Sequence, residues 1–136
     1  MIPGTAAAAI LTLLGLLHLY WAAGGTWGKS ATVPTFEGKP VIHPTPLTTT
    51  IVAAGLFAMA ALLAAKLGWI ALPITALSLR ASLWLASAIF FLRALGDFRY
   101  VGFFKRVRDT RFAELDTKLY SPLCLLLAAM VALVSW

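Results

Sequence analysis

Charge is scarce in this chain of 136 residues, and acidic charge scarcest of all. Only 12% of residues are charged, and five side chains are acidic: Glu37, Asp97, Asp109, Glu114 and Asp116. Soluble domains carry roughly 25% charged residues, so an ordinary cytosolic enzyme is excluded. A single cysteine, Cys124, excludes a disulfide scaffold. Hydrophobic residues make up 61%, which excludes a disordered chain. There is no zinc-type Cys/His spacing, no Gly-rich phosphate loop and no nucleophile elbow. The residue patterns therefore give no cofactor, no metal and no catalytic set. What remains is one domain that lies mostly inside a bilayer.

A span needs about 20 mostly apolar residues to cross roughly 30 Å of hydrocarbon. Four windows qualify, at about 3–23, 46–66, 73–95 and 117–135. The fold class expected is all-α, an integral membrane four-helix bundle. Thr45-Pro46 reads as an N-cap with proline at the first helical position, opening the second helix. Lys66 and Gly68 close it. Pro73 marks the start of the third helix and Gly96 its end. A helix beginning only at Pro122 would be about 22 Å long, too short to span. The fourth helix is therefore expected to start before Tyr120 and to bend or loosen at Pro122. Ala22-Ala23-Gly24 has the look of a cleavage site, but no Lys or Arg precedes the first apolar run, so a retained helix is expected.

Basic residues set the expected orientation. Lys29, Lys39, Arg99, Lys105, Arg106, Arg108, Arg111 and Lys118 belong to one side, and Lys66 alone to the other. By the positive-inside rule both termini face outward and both long connections face the cytoplasm. The expected location is the inner (cytoplasmic) membrane, crossed several times. The net charge of +6 is then topology signal and attraction to anionic lipids, with no nucleic-acid partner.

Several residues exceed what membrane burial demands. His18 lies near the inner end of the first helix, beside Tyr20 and Trp21. One hydrogen bond could hold it neutral there, or it could contact a ligand. Arg80, seven residues past Pro73, would sit about 10 Å below the outer surface. It is expected to snorkel or turn inward to an oxygen partner, with Trp84 in reach for a cation–π contact, or to serve as counter-ion to a ligand. Arg93 and Asp97 stand four apart and could pair. Phe103, Phe104, Val107 and Phe112 alternate with Lys105, Arg106, Arg108 and Arg111, as in a segment lying among headgroups, rings down and cations up. Glu114 and Asp116 suit the start of the fourth helix.

The stretches LHLYWAAGG (17–25), GDFRYVGFFKRV (96–107) and LYSPLC (119–124) resemble a family of small bacterial membrane proteins of unknown function. The resemblance covers nearly the whole chain and implies a four-helix architecture, without an activity or a site.

The candidate ligand-binding residues are His18, Tyr20, Arg80, Arg93, Asp97, Arg99, Tyr100, Asp116 and Tyr120. All but Arg80 would gather at the inner interface, with His18 bonded to Asp97, Arg99 or the Tyr120 hydroxyl. The function expected is binding of a small hydrophobic or lipid-like molecule at the cytoplasmic interface. The alternative is a non-catalytic subunit of a larger membrane complex. Gly15, Ala6–Ala9 and Ala58–Ala65 would then face partner helices. Membrane lipids are partners in either case.

Overall fold

Local chemistry sets where each helix begins and ends. The computed structural model describes all residues from Met1 to Trp136. Helix α1 runs over Ile2–Ala22 and is followed by a short helix, α2, at Lys29–Thr32. A two-residue hairpin pairs β1 (Thr35–Phe36) with β2 (Lys39–Pro40). Its turn residues, Glu37 and Gly38, both have positive φ, as the tightest hairpin loops require. Helix α3 (Pro46–Lys66) opens with a reciprocal cap: Thr45 Oγ1 accepts from the Thr48 amide at 3.1 Å, and Thr48 Oγ1 from the Thr45 amide at 3.0 Å. It closes with Gly68 at φ +77°, the Trp69 amide donating to Ala64 and the Gly68 amide to Ala65.

Helix α4 spans Ala76–Leu95 and starts three residues later than Pro73 suggests. Thr75 is the residue that caps it, accepting from the Ser78 amide at 3.1 Å. Arg80 consequently lies only about 6 Å into the helix. The last rod is continuous: α5 (Arg111–Leu115), a π-helical turn at Asp116–Tyr120, and α6 (Ser121–Ser135). The loosening lies in the turn that leads into Pro122. A proline has no N–H and its ring crowds the carbonyl four residues back. The wider turn, in which the Ser121 amide reaches back to the Asp116 carbonyl, relieves that crowding.

The four long helices are each long and apolar enough to cross a membrane, and the chain is a multi-pass membrane protein. α1 packs along α3 and α4 along α6, with α1 and α6 joining the two pairs. The core is small-residue and aliphatic: Ala7, Ala8, Leu11, Ala60, Leu63, Leu83, Ala86, Phe90, Leu127, Ala128 and Val131. Gly15 lies against the Phe57 ring, so this glycine serves α1–α3 packing within the chain. Large apolar side chains face outward instead, among them Leu13, Leu16, Ile51, Leu85, Ile89 and Leu133. Buried side chains include polar and charged ones: Thr49, Ser87, Lys105, Asp116, Ser121 and Ser135. Ser87 Oγ donates to the Ala128 carbonyl at 2.8 Å and links α4 to α6. The apolar outer face suits lipid, and every one of these buried polar side chains except Ser121 has a hydrogen-bond partner inside the protein.

Candidate functional site

The chain's most buried charges meet where α4, the 96–110 connection and the final rod converge. Asp116 has no exposed surface. Its Oδ1 accepts from Arg93 Nη2 at 2.9 Å, and its Oδ2 accepts from the Gly102 amide at 2.7 Å and from Lys105 Nζ at 3.0 Å. Lys105, only 2% exposed, also donates to the Gly102 carbonyl at 2.9 Å and to Thr117 Oγ1 at 2.6 Å. All three ammonium protons thus have acceptors, and the carboxylate holds three donors. Ion pairs are tolerated in a dry interior on those terms. The cluster is a clasp that ties loop to helix, with the Lys105 ammonium fully bonded inside it. Two buried polar atoms of this region, Arg93 Nη1 and Ser121 Oγ, have no partner in the protein.

This geometry corrects two expectations. Lys105 is not a headgroup cation but the innermost cation of the chain, because the widened turn at Asp116–Tyr120 presents a carboxylate and the Thr117 hydroxyl to it. Phe112 is likewise buried at 4% exposure, packed in the fold rather than laid on lipid. Within the 96–112 stretch, Phe98 and Phe104 are the rings that remain exposed.

Asp97 does not pair with Arg93. Its Oδ1 instead accepts from the amides of Arg99 (2.9 Å), Tyr100 (2.7 Å) and Val101 (2.9 Å). The turn needs that acceptor, since it doubles back so tightly that the backbones of Gly96 and Gly102 touch. A Cβ on Gly96 would collide with the Val101 carbonyl. Phe98 is held at φ +62° in the same turn. Partial burial pushes the Asp97 carboxyl up, but the three amides outweigh it and hold it below its ordinary value of 3.8. Arg99 stacks over the Tyr100 ring at 5.0 Å, and Tyr100 meets Phe36 edge-on at 6.2 Å.

A separate cavity of about 420 Å³ opens beside α1 at the same end of the bundle. Its polar lining is His18, Lys29, Thr32, His43, Thr48 and Thr49, and its apolar lining includes Trp21, Val33, Ile42 and Val52. His18 bonds to its own helix, Nδ1 to the Leu14 carbonyl at 2.7 Å, and not to Asp97, Arg99 or Tyr120. A carbonyl can only accept, so Nδ1 carries the proton and Nε2 is left without a protein partner. The ring meets Trp21 edge-on at 5.1 Å, and Trp21 Nε1 donates to the Trp27 carbonyl at 2.8 Å. Tyr120 reaches this region from the far pair of helices: its hydroxyl donates to the Ala31 carbonyl at 3.1 Å and so pins α2, which carries Lys29 and Thr32 into the cavity wall. Tyr20 covers Gly25, and its hydroxyl accepts from the Trp27 amide at 3.4 Å.

Of the residues singled out from sequence, the structure brings Arg93 and Asp116 into the clasp, and Asp97, Arg99 and Tyr100 into one turn. His18 alone lines the cavity. Arg80 sits at the opposite end, its guanidinium 5.8 Å from the centre of the Trp136 ring, so its contact is with Trp136 rather than with Trp84 or a protein oxygen. Trp84 packs edge-on against the same Trp136 ring at 5.6 Å. Sequence reasoning missed Lys29, His43, Thr48 and Thr49 as cavity residues. The signal was there in part: Pro34, Pro40, Pro44 and Pro46, with the Glu37-Gly38 turn, mark a folded connection rather than a free loop.

The chain belongs to a family described as proteins of unknown function, DUF3995, whose family model matches residues 11–131. No curated protein and no solved structure matches it.

The depressed carboxyl of Asp97 sets a pH dependence for its turn. A group whose folded value lies below its unfolded one stabilises above the unfolded value, and that stabilisation is lost as pH falls through the folded value. Amide hydrogen exchange at Arg99, Tyr100 and Val101 should therefore stay slow down to about pH 4. It should accelerate below that, after correction for intrinsic rates. Asp97→Ala should show the fast exchange at neutral pH.

Proposed function

We propose that this member of the DUF3995 family binds a small amphiphilic molecule in the cavity between α1, α2 and α3. The observation that carries this reading is the lining itself. Trp21, Val33, Ile42 and Val52 give it apolar walls, while His18, Lys29 and His43 bring polar groups to the same space. Clefts of a few hundred Å³ between bundle helices, with a few converging polar groups, are the usual form of a small-molecule site. The position supports it too, because the cavity lies at the helix ends, where a bilayer passes from hydrocarbon to headgroup. The alternative of an accessory subunit gains less, since Ala7, Ala8, Gly15 and Ala60 are buried within this chain. The nine-tenths-buried Asp116–Lys105 pair supports the site from behind, by fixing the rod that carries Tyr120.

The cavity end faces the cytoplasm in this reading, in a bacterial inner membrane. Lys29, Lys39, Arg99, Arg106, Arg108, Arg111 and Lys118 support that orientation, whereas Lys66 and Arg80 are the basic residues of the other end. Lys105 adds little as a surface charge, being buried against Asp116.

Two experiments test these statements. In a Cys124→Ala background, a membrane-impermeant thiol reagent applied to intact cells should label a cysteine at Trp69 and miss one at Arg106. The reverse pattern would overturn the orientation. For the cavity, dodecanol bearing a photoreactive diazirine on its alkyl chain should label peptides containing Trp21, Val33 or Val52 in the detergent-extracted protein. Val52→Trp, which fills the space, should reduce that labelling about tenfold, equivalent to about 1.4 kcal/mol. Labelling confined to the lipid-facing positions Leu13, Leu16, Ile89 and Leu133 would overturn the reading.

A further inference from the structure

We infer that the cavity selects an anionic head group, a carboxylate or a phosphate monoester, on a short alkyl chain. The inference rests on the cavity being a binding site and names the chemistry that the site would take.

Every ionisable side chain lining the cavity is basic: His18, Lys29 and His43. An adjoining cavity of about 490 Å³ shares Lys29, Val33, Ile42, His43 and Pro44 with it, and adds Thr26, Ser30, Thr35 and Pro40 without adding an acid. The two spaces therefore share a wall, and the ionisable side chains around both are all basic. None of the chain's five acidic side chains lines either space. Three of them are engaged elsewhere: Asp97 in its own turn, Glu114 with Lys118 at 2.6 Å, and Asp116 in the clasp. Lys29 has no carboxylate partner, although it is half-buried and set beside apolar walls. A cation in that setting gains from an anion that replaces part of its lost hydration.

The histidines fit the same chemistry. With Nδ1 of His18 bonded to Leu14, Nε2 is the nitrogen left without a protein partner, and on protonation it becomes a donor. His43 lies between the two spaces and belongs to the lining of both. Thr32, Thr48 and Thr49 line the inner cavity, although their hydroxyls already donate to main-chain carbonyls and so serve as acceptors more than as donors. Selectivity therefore falls to Lys29 and the two imidazoles. The alkyl chain is left to Trp21, Val33, Ile42 and Val52, the apolar part of the same lining.

Four ligands of equal chain length test the inference: dodecanoate, dodecyl phosphate, dodecanol and dodecylamine, titrated into the detergent-extracted protein and read by native mass spectrometry. Either or both anions should bind at least tenfold more tightly than dodecanol, and dodecylamine should bind more weakly still. The two anionic arms separate a carboxylate source from a phosphate source. Lys29→Met and His43→Gln, made separately, should each lower the ratio of anion to alcohol affinity. Arg106→Met, which removes an exposed cation outside the cavity, should leave that ratio unchanged. Equal binding of all four ligands would overturn the anion preference and leave the cavity reading standing. Binding of none would overturn both. A ratio that falls with Arg106→Met but not with Lys29→Met or His43→Gln would show attraction to the surface at large, and would likewise overturn the assignment.

Discussion

A carboxylate with no exposure to solvent must find every partner it needs inside the protein, and Asp116 does so by drawing three chain segments together. Arg93 comes from α4, Gly102 and Lys105 from the connection, and Asp116 from the rod, whose Thr117 takes a further bond from Lys105. Desolvating two such charges costs several kcal/mol per ion even after relaxation. That cost fixes the arrangement, because any displacement of the loop would strip a donor from a buried anion. The Gly102 backbone bonds Asp116 through its N–H and Lys105 through its carbonyl, so the loop is held by main chain as well as side chain.

Much of the basic end follows from this anchor. The rod that carries Asp116 also carries Tyr120, and the π turn between them decides where the phenol points. Its hydroxyl holds the Ala31 carbonyl of α2, which sits over the α1–α3 cleft and supplies Lys29 and Thr32 to the cavity. At the other end the constraints are looser. Lys66 donates to the Trp136 carbonyl at 3.1 Å, and Arg80 lies over the Trp136 ring. The proposed ligand site is therefore at the end with a rigid polar frame, and the opposite end is held by aromatic and single-bond contacts.

The membrane architecture was legible because a bilayer demands long windows without charge, and the chain has four. Caps such as Thr45 were legible because their chemistry is local. What the sequence did not disclose depends on partners distant along the chain. Lys105 sits in a run of arginines and reads as one more surface cation, and only the fold brings it onto Asp116. Asp116 reads as an acid at a helix start, since nothing local announces that Gly102 and Arg93 will close over it. The start of α4 was misplaced because a proline is a strong signal and Thr75, the true cap, a weak one. His18 was recognisable as unusual, but its neighbours in the cavity come from a connection that folds back. Lys29 and His43 are thus ordinary loop residues until that folding is known.

The most direct measurement is a double-mutant cycle on the clasp, with unfolding followed in mild detergent. Asp116→Leu alone leaves Lys105 buried without its anion, and Lys105→Met alone removes a donor from a buried carboxylate. Each should destabilise by about 3–5 kcal/mol. The double variant, with two apolar residues facing each other, should recover at least half of the loss. Single variants within about 0.5 kcal/mol of the parent, as expected of ordinary surface sites, would contradict the account, as would a double variant whose loss is simply the sum of the two.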